Sequence, residues 1–151
     1  MTIITYGTFD LFHYGHYNLL KRASQMGDKL IVGVSSDKMC ISKGKITILN
    51  QDERMSIVKD LKFVDLVILE DNMEQKILDC DKYGVDVFVL GDDYRTIFPS
   101  MPEYNILLKK GVSVVFLPRT EGISSTLLKR KLKEQEEADR DKNSLKNRTN
   151  H

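Results

Sequence analysis

The stretch that decides the fold is TIITYGTFDLFHYGHYNLLKRASQMG, residues 2–27. Its first residues are rich in β-branched side chains, which predicts a strand over 2–6. After a turn, the apolar residues Leu19, Leu20 and Ala23 recur at helical spacing. This spacing predicts a helix over 16–26, ended by Gly27. The segment therefore predicts a strand that leads through a short turn into a helix.

The same alternation continues along the chain. Strands are predicted over 29–35, 66–69, 85–90 and 112–117, and helices over 51–61, 73–83, 103–110 and from about Ser124 onward. Residues 85–90 are almost continuously apolar, which indicates a strand buried on both faces, as in a parallel sheet. Strands separated by helices imply repeated βαβ crossovers. We therefore expect a single-domain, doubly wound α/β sheet of about five strands.

Two polar segments interrupt this alternation, and a third follows it. Residues 40–50 and 95–102 are predicted to be loops, the second because it contains Pro99 and Pro102. Beyond residue 135 the chain is charged and has few apolar residues. We expect a catalytic domain over 1–135 and a frayed helix end followed by a disordered tail over 136–151.

Composition limits the class of protein. The chain has 151 residues and 23 basic against 22 acidic side chains, and a net charge of +1 argues against a nucleic-acid partner. No apolar run approaches the ~20 residues of a membrane-spanning helix, and the first residues do not resemble a signal peptide. Cys40 and Cys80 are too few for a disulfide framework. We expect a soluble cytoplasmic protein without a membrane partner.

The first candidate site lies between the first strand and the first helix, at Gly7-Thr8-Phe9-Asp10-Leu11-Phe12-His13-Tyr14-Gly15-His16. Open α/β sheets bind ligands at such junctions, and a helix N-terminus favours phosphate. His13 and His16 can approach one anion together, and Gly15 permits close approach of the backbone. Two other interpretations are structural histidines and a zinc pair. Zinc would need further ligands, but His151 lies in the tail and the cysteines are isolated.

The second candidate site follows the last strand, at Pro118-Arg119-Thr120-Glu121-Gly122-Ile123-Ser124-Ser125-Thr126. Ser124 can cap the last helix, where hydroxyls and free N–H groups would hold the outer phosphates of a nucleotide. Arg119 can act as a bidentate phosphate clamp. The alternative is an ordinary capped helix after a turn.

Two further clusters carry charge. Lys43-Gly44-Lys45 lies in the polar loop with Arg54 downstream, and its lysines are either simply solvated or close over a triphosphate as a lid. Asp92 and Asp93 follow a buried strand, where they can bind magnesium, cap a helix or position a cation. We assign no metal ligands.

Taken together, residues 7–10, 13–16 and 119–126 resemble the two signature motifs of the cytidylyltransferase family of nucleotidyltransferases. Residues 86–94 and the pair Val64-Asp65 agree with it, and the resemblance covers residues 2–133. It implies a Rossmann-like homodimer that, with Mg²⁺, transfers CMP from CTP to a small phosphorylated acceptor. Glycerol 3-phosphate is the leading acceptor, giving CDP-glycerol and pyrophosphate for a cell-wall or capsule polymer.

The resemblance also implies roles for individual residues. The catalytic residues would be His13, His16, Lys43 and Arg119. CTP would be bound by Thr8, Phe9, Gly15, Lys45, Asp93, Thr120, Gly122, Ile123, Ser124 and Ser125. The acceptor would be bound by Asp10, Asp37, Lys43, Lys45, Arg54 and Lys62.

The chemistry expected at this site is direct transfer. The acceptor phosphate is already an anionic nucleophile, so the obstacle is bringing two anions together. Imidazoles, Lys and Arg side chains and a helix N-terminus would supply the positive groups, without a covalent intermediate.

The acceptor is less sharply defined than the reaction. Lys62 stands where the family usually has arginine, Met73 where tryptophan is typical, and the segment 95–102 is long. Ethanolamine phosphate, choline phosphate or a phosphorylated amino acid such as phosphoglutamine are alternative acceptors. An adenylyltransferase of the same superfamily and a non-catalytic nucleotide-binding module are alternative functions.

Overall fold

The computed structural model describes the backbone of residues 1–118 and 125–149 and the side chains of residues 1–118 and 129–142. The strands are β1 (Thr2–Gly7), β2 (Lys29–Ser35), β3 (Leu66–Glu70), β4 (Val87–Gly91) and β5 (Ser113–Leu117). The helices are α1 (Tyr14–Ser24), α2 (Asp37–Ser42), α3 (Gln51–Lys59), α4 (Gln75–Lys82), α5 (Pro102–Lys109) and α6 (Ser125–Thr149), with 3₁₀ turns at Asp92–Tyr94 and Phe98–Ser100.

Over these residues the strands form one sheet in the order β3-β2-β1-β4-β5. Every neighbouring pair is parallel, with Ile4 of β1 opposite Ile31 of β2 on one side and Phe88 of β4 on the other. The predicted single-domain, Rossmann-like α/β sheet is therefore confirmed. Because the strand order reverses at β1, a crevice opens beside its carboxyl end, where such sheets bind ligands.

Helices cover both faces of the sheet. One core joins alternate strand residues to α1 and α3, and its fully buried members include Ile3, Val32, Val34, Leu20 and Val58. The other core joins the intervening strand residues to α4 and α5, through Ile4, Ile31, Phe88, Cys80 and Leu107. Burial on both faces explains why these strands are almost uniformly apolar.

The segment 40–50, predicted to be a loop, begins inside a helix. The short helix α2 extends to Ser42, and its N-terminus is capped by Ser36, whose Oγ accepts the N–H of Met39 at 3.0 Å. The predicted loop 95–102 contains the 3₁₀ turn Phe98–Ser100 and ends at the first residue of α5. Both predictions missed helical turns because these turns are too short to show a hydrophobic period.

Residues 136–149, where a disordered tail is expected, continue α6 in the structure. Eight of these fourteen residues are Glu, Lys, Arg, Ala or Leu, which are good helix formers even without a core to pack against. Side chains one turn apart also interact, as where Gln135 Nε2 donates to Asp139 Oδ1 at 3.0 Å. The division between a catalytic domain and a tail stays a prediction. None of the helices in the described part of the chain is long and apolar enough to cross a membrane.

Candidate active site

The turn between β1 and α1, with the first residues of α1, forms the histidine turn, residues 8–16. Its backbone is left-handed at Phe9 (φ 54°) and Leu11 (φ 48°), a conformation that non-glycine residues adopt at an energetic cost. The ring of Phe9 is buried and lies against Gly7, where an added Cβ would come within 2.8 Å of it. Packing of the Phe9 ring against Gly7 therefore holds the histidine turn in one shape. The Phe9 ring is part of the core, and its predicted contact with CTP remains untested.

Both predicted histidines cap α1. His13 is the N-cap residue, and its Nδ1 accepts the N–H of Gly15 at 3.0 Å. His16 Nδ1 accepts the N–H of His13 at 3.2 Å, and the two rings stack with centroids 3.8 Å apart. Since each Nδ1 is an acceptor, each neutral ring carries its proton on Nε2. The geometry therefore gives the histidine turn two adjacent Nε2–H donors.

His16 is neutral near pH 7. Burial, with a smaller contribution from the neighbouring His13, lowers its pKa to about 4, although the carboxylate of Asp10 acts to raise it. The expectation that the imidazoles act as positive groups is therefore wrong for His16, which is a neutral hydrogen-bond donor. Gly15 uses its N–H in the cap, so its predicted contact with CTP would have to come from Cα.

Asp10 fastens a second segment to this turn. Its buried carboxylate accepts the N–H groups of Ile48 at 2.9 Å and Leu49 at 3.0 Å, and it lies 2.7 Å from the ammonium of Lys129. Burial alone would raise the pKa of Asp10, but these donors outweigh it and hold the pKa below its usual value. The contacts assign Asp10 a positioning role, and its predicted contact with the acceptor stays a prediction.

The side chain of Arg54 is fully buried. Its guanidinium donates to the carbonyl oxygens of Leu49 at 3.0 Å, Thr8 at 2.8 Å and Ser35 at 2.7 Å, and to the carboxylate of Asp37 at 2.8 Å. It has no surface left for a ligand, so the predicted direct contact between Arg54 and the acceptor is wrong in this arrangement. Asp37 keeps 41% of its side chain exposed and remains a candidate acceptor ligand.

The segment Lys43 to Asn50, which we name the lysine loop, carries the predicted cations. Gly44 has φ 71°, which lets the chain turn so that the N–H of Lys45 donates to Cys40 O at 2.9 Å. The pKa of Lys43 is lowered by partial burial and by the ammonium groups of Lys76 and Lys45, against the attraction of Glu70. The lysine loop therefore concentrates positive charge beside the carboxyl ends of β1 and β2.

Lys62 lies on the other side of the molecule. It precedes β3, and its neighbour Asp65 accepts the N–H of Leu30 at 2.7 Å, at the amino end of β2. The amino ends of parallel strands lie opposite the edge that carries the histidine turn. The prediction that Lys62 binds the acceptor in its own chain is therefore wrong.

The remaining predicted residues divide into two groups. Asp93 follows β4 and lies at the same edge of the sheet as the histidine turn. Thr8 is the first residue of the histidine turn. The other group lies outside the described residues, or has its side chain there, and its roles stay predictions: Arg119, Thr120, Gly122, Ile123, Ser124 and Ser125.

A buried polar cluster that sequence reasoning missed lies beside this edge, on the α4 face. Glu70 accepts the hydroxyl of Ser35 at 3.0 Å and pairs with Lys76 at 2.6 Å. The ammonium of Lys76 lies 5.2 Å from the centre of the Tyr6 ring, whose hydroxyl donates to Asp79 at 2.7 Å. The sequence does contain a signal for this cluster, because residues 76, 79 and 80 recur at the spacing of one buried helix face.

This site belongs to a recognisable class. Left-handed turns, a capped helix N-terminus and a cationic loop meet at the carboxyl edge of a parallel sheet, as in α/β proteins that bind phosphorylated ligands. Among the described residues, no three His, Cys, Asp or Glu side chains are grouped as a metal site would require.

The chain belongs to the cytidylyltransferase-like family, whose profile matches residues 4–131. It is 46% identical over 128 residues to the glycerol-3-phosphate cytidylyltransferase of Bacillus spizizenii, covering 85% of this chain and 94% of that protein. It is 44% identical over 130 residues to the enzyme of the same name from Staphylococcus aureus, covering 86% of this chain and 93% of that protein. These relatives are cytidylyltransferases, and the chain is accordingly a transferase.

Solved structures agree with the fold. A lipopolysaccharide core biosynthesis protein from Thermoplasma volcanium superposes with a TM-score of 0.63 at 27% identity, over 80% of this chain and 96% of that one. A protein of unknown function from Archaeoglobus fulgidus gives a TM-score of 0.61 at 23% identity, over 78% and 89%, and shows the fold alone.

Proposed function

We propose that this protein transfers CMP from CTP to glycerol 3-phosphate, forming CDP-glycerol and releasing pyrophosphate. The observation that carries this proposal is the identity of 44–46% to three bacterial glycerol-3-phosphate cytidylyltransferases, whose length the chain covers at 93–95%. Ethanolamine-phosphate cytidylyltransferases are 32–37% identical, and the chain covers only 29–34% of their length. Glycerol 3-phosphate is therefore preferred over ethanolamine phosphate as the acceptor.

The reaction needs charge neutralisation more than proton transfer. A phosphate oxygen of the acceptor attacks the α-phosphorus of CTP, and the bond to the pyrophosphate oxygen breaks as pyrophosphate leaves. The Nε2–H groups of His13 and His16 would donate to oxygens that gain charge in the transition state. Their Nδ1 atoms are fixed on backbone N–H groups, so these donors need no reorganisation as the reaction proceeds.

The cations of the lysine loop would help the triphosphate of CTP and the acceptor phosphate to approach each other. Lys43 and Lys45 stand near each other and near the carboxyl end of β2, so their charges can reduce the repulsion between triphosphate and acceptor phosphate. Asp37, with its exposed carboxylate, is available to accept hydroxyl groups of a polyol. Glycerol 3-phosphate carries a charged phosphate, which matches the lysines, and neutral hydroxyl groups, which match the carboxylate of Asp37.

Magnesium is part of the proposal as a companion of CTP. Mg²⁺ usually keeps several waters and binds through substrate phosphates and one or two carboxylates, so it needs no dedicated protein cage. Asp93, at the carboxyl edge of the sheet after β4, keeps its proposed role in binding CTP, and no residue is assigned as a magnesium ligand. When bound, Mg²⁺ would neutralise part of the triphosphate charge.

The proposal also places the protein as a homodimer in the cytoplasm that supplies CDP-glycerol for a cell-wall or capsule polymer. These features follow the family resemblance. Light scattering on the purified protein tests the dimer, with twice the chain mass of 17.4 kDa as the expected result.

The deciding experiment measures pyrophosphate release from CTP with glycerol 3-phosphate, ethanolamine phosphate and choline phosphate, each with and without Mg²⁺. We expect kcat/KM for glycerol 3-phosphate to exceed the others by about 100-fold or more, since a site built for hydroxyl groups leaves polar groups unpaired without them. ATP in place of CTP should be a poor substrate. Equal rates with all three acceptors, or a preference for ATP, would refute the proposal.

A further inference from the structure

One side chain of the last helix connects three segments of the site. Lys129 lies one helical turn beyond Ser125 in α6, and its ammonium is 2.7 Å from Oδ2 of Asp10. The same ammonium donates to the carbonyl oxygen of Ile46 at 3.1 Å. Lys129 therefore contacts the histidine turn and the lysine loop from a helix that the chain reaches more than 70 residues after the lysine loop.

The contact is reinforced on the other side of Asp10. Its carboxylate also accepts the N–H groups of Ile48 and Leu49, so the hydrogen bonds run from α6 through residue 10 into the lysine loop. Asp10 is 3% exposed and the Lys129 side chain 31% exposed, so water competes little for this charge-assisted bond.

The neighbours of Lys129 provide a contrast. Arg130 lies 4.0 Å from Glu134 within α6, and both side chains are about 70% exposed, an arrangement that contributes little to stability. Lys131 is exposed on the same helix. The link to Asp10 and Ile46 thus distinguishes Lys129 from the surface charges of α6.

We propose that Lys129 is a positioning residue that fastens the lysine loop to α6 and to the histidine turn. It acts by placing the cations of the lysine loop, and it does not itself touch the substrates. The kinetic part of this inference rests on the proposed function. The prediction is that loss of the ammonium weakens the binding of both anions more than it slows the chemical step.

The test compares Lys129→Met, which keeps most of the apolar stem, with Lys129→Arg, which keeps the charge, and with the matched control Lys131→Met. Amide hydrogen exchange over residues 46–49 is measured first, without substrate. We expect exchange there to rise about tenfold in Lys129→Met, the scale of losing one hydrogen bond to a charged group, and to stay at the wild-type rate in Lys131→Met. Lys129→Arg should recover part of the protection.

Steady-state kinetics with CTP and glycerol 3-phosphate follow. We expect KM for both substrates to rise about tenfold in Lys129→Met with kcat within about twofold of wild type. Unchanged exchange over residues 46–49 in Lys129→Met would overturn the inference, as would equal effects of Lys131→Met. If the wild-type protein does not use glycerol 3-phosphate, the proposed function fails, while the exchange measurement still decides the role of Lys129.

Discussion

The histidine turn and the lysine loop are held in opposite ways. In the histidine turn, His13 and His16 bind the backbone of their own helix, and the ring of Phe9 packs beneath the chain. The lysine loop is largely exposed, and it is bonded by three side chains outside it, those of Asp10, Arg54 and Lys129.

The difference corresponds to the forces each segment would use. A hydrogen bond weakens steeply with angle, so donors aimed at the oxygens of a reacting phosphate need a rigid support. The attraction between opposite charges depends mainly on distance, so cations need only be kept near. The site thus combines a rigid half that presents imidazole N–H donors and a tethered half with positive charge.

The largest effect should come from removing the residue that serves both halves. Arg54→Met leaves the carbonyl oxygens of Thr8, Ser35 and Leu49 without their donor, and we expect the free energy of unfolding to fall by about 3–5 kcal/mol. Urea denaturation measures it. Lys62→Met is the matched control, because Lys62 is exposed at the opposite edge and should change stability by less than about 0.5 kcal/mol. Similar losses in both variants would contradict the role of Arg54.

The rigid half is tested by His16→Asn. Asparagine can accept the N–H of His13 as Nδ1 does, but it has no group in place of the Nε2 donor. We expect kcat to fall by a factor that corresponds to about 2–4 kcal/mol, the scale of one electrostatic donor, while the melting temperature changes little. Single-turnover kinetics provide the measurement. His13→Asn keeps a favoured N-cap residue and should behave in the same way. Near-normal turnover in either variant would exclude the donor role of that imidazole.

The burial of His16 also predicts how stability depends on pH. The pKa of His16 is about 4 in the fold against 6.5 for an ordinary histidine, so the unfolded chain takes up a proton first as the pH falls. The contribution to stability is fully present above pH 6.5 and is lost between 6.5 and 4, by up to about 3 kcal/mol. Urea denaturation of wild type and His16→Asn across this range isolates the effect. Parallel pH curves for the two proteins would contradict it.

The tethered half should give the smallest effect and the one most sensitive to salt. Lys45 is exposed, so Lys45→Met should lower kcat/KM about tenfold in dilute buffer. The deficit should shrink toward twofold near 0.5 M salt, because screening weakens exposed charges. For His16→Asn the deficit should not depend on salt. A Lys45→Met deficit that is independent of salt would show that Lys45 acts by geometry.

The sequence was informative wherever a pattern extends over several turns or a whole strand. The strand 29–35 was predicted with the bounds that the structure shows, because its residues are apolar on both faces. The six-residue helix α2 was missed, since it is shorter than two turns of hydrophobic period. Composition alone indicated disorder over residues 136–149, where the structure shows the end of α6.

The site was predicted at the level of motifs and less well at the level of individual charges. Arg54 was expected to touch the acceptor because it is charged, yet it shares a helix face with the buried Val58 four residues later, a spacing that indicates burial. The neutral state of His16 depends on stacking and burial, which no sequence spacing specifies. The cluster of Glu70 and Lys76 forms only when β3 and α4 pack together.

The central position of β1 has a consequence for how the protein is made. β1 ends at Gly7, but its second neighbour, β4, begins only at Val87, and the contact of Asp10 with α6 waits for residue 129. Such distant pairings slow folding and leave one edge of β1 exposed until β4 has been synthesised. A nascent chain released early would therefore lack both a closed sheet and a complete site.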